Sequence, residues 1–120
     1  MNDLSKRLQE CRRTSKSVDY DKVILNAYRL CIEAFRLATR EDRDGLKAAR
    51  QDIDSVLILL LSEHFSSLSF EERGDLANFE NPKKVAVDLL FLLNDYDKSR
   101  RKNPAPLLCA YQLFLKGAKN

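Results

Sequence analysis

An all-helical fold is what this sequence predicts, and three observations carry that prediction. Apolar residues recur every three or four positions through four long stretches. Gly and Pro number only three each in 120 residues, too few for the turns that a β architecture needs. Each long stretch also opens on a residue able to cap a helix N-terminus. With 44% apolar and 32% charged residues, the chain is composed like a folded domain rather than a disordered tail. Its length suits one domain, large enough to bury a core without disulfide or metal support. The architecture expected is an antiparallel four-helix bundle over residues 17–120. A basic arm or short helix over residues 1–16 precedes it, and a short connector helix lies within it.

In the arm, Leu4, Leu8 and Cys11 fall at helical spacing among Lys6, Arg7, Arg12, Arg13 and Lys16. The first long helix starts at a cap, Ser17 or Asp19, and runs to about Arg40. At about 100° per residue, Ile24, Ala27, Tyr28, Cys31, Ala34, Phe35 and Ala38 share a face. Val23, Leu30 and Leu37 flank it on one side, and Leu25 and Ile32 on the other. A helix apolar over so much of its circumference is expected at the centre of the bundle, ringed by the others.

The acidic run Glu41 to Asp44 caps the second helix and suits the positive end of its dipole, with Gly45 in the first turn. Its core stripe is Leu46, Ala49, Ile53, Val56, Leu57 and Leu60, with Lys47, Arg50, Gln51 and Asp54 expected to face out. Ile58 and Leu59 point away from that stripe. Ser69 and Glu72 form a capping box for a short connector helix holding Leu76 and Phe79. Asn81-Pro82 is a firmer start signal, Asn as cap and Pro in the first turn. Beyond it, Val85, Leu89, Leu92, Leu93 and Tyr96 face inward, while Val87, Leu90 and Phe91 lie roughly opposite. The basic run Lys98 to Lys102 ends this helix, and Asn103-Pro104 opens the last one. Leu107, Ala110, Tyr111 and Phe114 form its buried face, and Gly117 is expected to stop it.

Several function classes drop out. Cys11, Cys31 and Cys109 are odd in number and form no CxxC pair, which fits reduced thiols in a cytoplasmic protein better than a secreted disulfide framework. Residues 1–16 are too charged for a signal peptide, and the longest apolar runs fall far short of the ~20 residues of a membrane span. His64 has no second histidine to complete a metal site or a triad, and Gly45, Gly74 and Gly117 are too isolated for a phosphate loop. Carboxylate pairs such as Asp42 with Asp44 are explained by capping. No catalytic, cofactor or metal site is expected, so the chain reads as a non-enzyme.

Two features point to binding. Ile58, Leu59, Val87, Leu90 and Phe91 exceed the apolar surface that four amphipathic helices need for one core. They are expected to line a groove for an amphipathic helix of a protein partner, which Leu4 and Leu8 could cover when it is empty. A larger core or a homodimer face explains the same excess. Separately, Arg12, Arg13, Lys98, Arg100, Arg101 and Lys102 would make a basic patch for nucleic acid if the arm folds beside the turn after the third long helix. No aromatic residues interleave with them, and the formal net charge of +3 does not itself require such a partner.

The stretches Tyr20 to Ala38 and Asp42 to Leu61, the acidic turn between them and the run Lys47-Ala48-Ala49-Arg50-Gln51-Asp52-Ile53 resemble the central helices of bacterial flagellar export chaperones of the flagellin-binding type. The helix Val85 to Tyr96, the basic turn and the terminal helix Leu107 to Leu115 follow in the same order, so the resemblance covers roughly 100 residues. It implies a four-helix bundle that holds an aggregation-prone export substrate in grooves between helices, without ATP or metal.

Overall fold

The computed structural model describes residues 19–64 and 81–118, the side chains of the last four excepted. Leu4, Leu8, Arg12, Arg13, the basic arm and the connector helix predicted around Ser69 to Phe79 lie outside the described residues. Four helices account for most of the rest: α1 (Tyr20–Thr39), α2 (Arg43–Ser62), α3 (Pro82–Lys98) and α4 (Ala105–Ala118).

Their starts follow from local hydrogen-bonding chemistry. The Asp19 carboxylate accepts from the amides of Asp21 and Lys22, that of Asp42 from Gly45, and the Asn81 side chain from Lys84, so each closes part of an open first turn. Asn103 accepts from the Ala105 amide ahead of α4. Gly117, expected to stop α4, instead lies within it, since the helix reaches Ala118.

α1 packs against α2 and α3, and α4 against α3 and, less extensively, α2. Tyr20 at the start of α1 lies under Arg101 just past the end of α3, and the end of α2 reaches Tyr96 near the end of α3. α1 and α4 therefore run one way and α2 and α3 the other, so every pair in extensive contact is antiparallel. The core comprises Ile24, Cys31 and Ala34 from α1, Ile53, Leu57 and Leu60 from α2, Leu89, Leu93 and Tyr96 from α3, and Leu107, Tyr111 and Phe114 from α4 with their buried neighbours.

Two expectations fail for the same reason, the position of each helix in the ring. α1 is not at the centre: among the described residues it has a neighbour on either side and a third side open, where Phe35, expected in the core, is 41% exposed. α2, in contrast, buries more than one stripe. Asp54, expected to face out, is 4% exposed, and Ile58 is 1% exposed. Tyr111 of α4 reaches Asp54, and Asp54, Ile58 and Leu61 recur at i, i+4 and i+7, so this is the side that α4 covers.

Candidate functional site

The open side of α1 is the feature that core packing leaves unexplained. Leu25 is 61% exposed, Ile32 45% and Phe35 41%, and on α3 Phe91 is 63% exposed. Tyr28, half-buried, completes the α1 row with the spacing of three, four and three residues that keeps side chains on one helical face. Its hydroxyl donates to Asp97 Oδ2 on α3 at 3.2 Å, which places this row on the α3 side of α1. Across the groove, Val87 and Leu90 are half-buried beside Phe91. Leu90 packs against the core while part of its side chain stays accessible.

The register of this face follows from two contacts. Tyr28 meets Asp97, and the Arg101 guanidinium sits 5.4 Å from the centre of the Tyr20 ring. Stepping up α1 and down α3 from those anchors brings Ile32 level with Phe91, Arg29 with Asp95, and Arg36 with Asp88. Arg29 and Arg36 lie on the outer edge of α1, away from α3. Asp88 and Asp95 lie on the outer edge of α3, away from α1. Both rims of the apolar trough carry mixed charge, since Arg36 pairs with Glu33 at 3.9 Å on α1 and Lys84 with Asp88 at 3.3 Å on α3.

Of the residues the sequence singles out for a groove, Val87, Leu90 and Phe91 stand on this face. Ile58 does not, being sealed in the core under α4, and half-buried Leu59 belongs to α2, which is diagonal to α3 in the ring. Leu25, Ile32 and Phe35 are the residues that sequence reasoning assigned to the bundle interior. The signal for them was the breadth of the apolar arc on α1, wider than two neighbours can cover.

A second cluster closes the end of the bundle where α2 and α3 finish. The buried Tyr96 hydroxyl donates to Glu63 Oε2 at 3.3 Å and lies 2.7 Å from His64 Nε2, whose ring stands edge-on to the tyrosine. With Tyr96 donating to Glu63, the imidazole donates to the tyrosine oxygen. Arg101 Nη1 lies 3.9 Å from Glu63 Oε1. Burial first, and the Glu63 charge second, push the Tyr96 pKa well above its ordinary value, so the phenol keeps its proton and serves as a structural link rather than a nucleophile.

The same contacts divide the basic turn. Lys98, Arg100 and Lys102 are exposed, but Arg101 is half-buried and held between Glu63 and Tyr20. With Glu63 and Asp97 beside it, the turn is a mixed surface rather than a uniformly positive one. Cys31 is a buried filler whose thiol burial pushes up to about 12. Among the described residues, no group of three or more His, Cys, Asp or Glu side chains is placed to hold a metal ion, and no helix is long and apolar enough to cross a membrane.

Comparison of the chain with protein-family models, with curated proteins and with solved structures finds no match in any of the three.

Proposed function

We propose that this chain is a non-enzymatic protein-binding module of the export-chaperone or adaptor kind, working in the cytoplasm and shielding an amphipathic helix of a protein client on its α1/α3 face. The observation that carries this reading is the exposure of four large apolar side chains, Leu25, Ile32, Phe35 and Phe91, on two neighbouring antiparallel helices. A trough between two helices accepts a third helix through anchors at i, i+3, i+4 and i+7, the mode that amphipathic clients use. The drive is removal of apolar surface from water, at about 25 cal/mol per Å², reduced by the cost of ordering the client.

A photo-crosslinking amino acid at position 91, used in cells, identifies the client by mass spectrometry. The purified client should then bind the wild-type chain at least 10-fold more tightly than Phe91→Asp, whose helicity and thermal midpoint are unchanged. Equal affinity for the two proteins would remove the α1/α3 face as the client site.

A further inference from the structure

We draw no further inference here: the strongest candidate, the apolar surface patch of Leu25, Ile32 and Phe35 on α1 beside Phe91 on α3, belongs to the site already described, and with mixed charge on both of its rims nothing in the structure shows what covers it.

Discussion

The Tyr111 hydroxyl donates to Asp54 Oδ1 at 3.1 Å across the contact between α4 and α2, with both side chains buried. A carboxylate is costly to take from water unless hydrogen bonds replace its hydration. This bond therefore anchors α4 at a fixed height on α2. Tyr111→Phe keeps the ring and its stacking on Phe114 while removing the bond, and is expected to cost about 1–2 kcal/mol. The check is the urea midpoint at neutral pH. A loss below about 0.3 kcal/mol would show that the bond is not what holds α4 in place.

That pair also marks where sequence reading stops. The helix starts were legible because capping is local: Asp19, Asp42 and Asn81 each act within three residues of their own position. The buried face of α4 was legible too, since Leu107, Ala110, Tyr111 and Phe114 form one narrow stripe. Asp54 and Ile58 were not, because whether a second side of α2 is covered depends on where α4 lands, which no spacing within α2 encodes. α1 shows the converse. Its wide apolar arc was read as burial on all sides, yet among the described residues the ring gives it two neighbours, and Leu25, Ile32 and Phe35 are exposed. On α3, Phe91 does lie away from the core stripe, whereas Leu90, expected beside it, packs against the core, and the exposed residues of α1 were not picked out.

Gly45 tests the capping of α2. A Cβ built there would lie 2.7 Å from Leu37 Cδ2 and 2.8 Å from Asp42 Oδ2, while the Gly45 amide donates to Asp42 Oδ1 at 2.9 Å. Alanine favours a helix over glycine by about 1 kcal/mol, and losing an Asp cap costs about the same. Gly45→Ala is therefore expected to be neutral within about 0.5 kcal/mol, and Asp42→Ala to cost about 1 kcal/mol. With the cap already gone the carboxylate contact disappears and the Leu37 contact stays, so Gly45→Ala should be more favourable than in the wild type. Chemical denaturation of the two single variants and the double variant closes this cycle. Simple additivity would show that the methyl group and the cap do not compete.

Alkali should weaken the fold. Burial raises the Cys31 thiol to about 12, and burial with the Asp97 carboxylate raises the Tyr28 hydroxyl to about 12; Tyr96 is raised as well. A raised folded-state pKa means that the unfolded chain gives up its protons first. The stability from these groups is complete below about pH 8.5, where the unfolded thiol begins to ionise, and it is lost as pH climbs towards the folded values. Urea midpoints should hold steady from pH 7 to 8 and fall from pH 9 to 11. A midpoint that does not move over the upper interval would contradict the buried, protonated state of these groups.

The two described cysteines should differ in reactivity. Cys109 is exposed on α4 and Cys31 is buried on α1 with a thiol that resists ionisation. Because the thiolate is the reactive form, iodoacetamide at pH 8 should label Cys109 within minutes and Cys31 only through unfolding, at least 100-fold more slowly. Peptide mapping by mass spectrometry gives both rates. Comparable labelling would place α1 among the readily opened parts of the bundle rather than in its core.

The turn after α3 stores strain that a single substitution can separate from its contacts. Arg100 and Arg101 both take left-handed backbone angles, with φ of 57° and 61°. A residue with a Cβ is disfavoured there by about 1–2 kcal/mol, an amount that glycine avoids, although glycine has more freedom to lose from the unfolded chain. Arg100 is exposed, so Arg100→Gly removes strain and little else, and should stabilise by about 0.5 kcal/mol. Arg101 has the same backbone but also lies over the Tyr20 ring and against Glu63, tying α1, α2 and the end of α3 together. Arg101→Gly loses those contacts, worth about 1 kcal/mol at a half-buried site, and should gain nothing or destabilise. Thermal midpoints of the two variants decide the matter. Equal increases would mean that the turn is set by backbone geometry alone, and a rise for Arg100→Gly with a fall for Arg101→Gly would mean that the arginine clamp is why the strained turn persists.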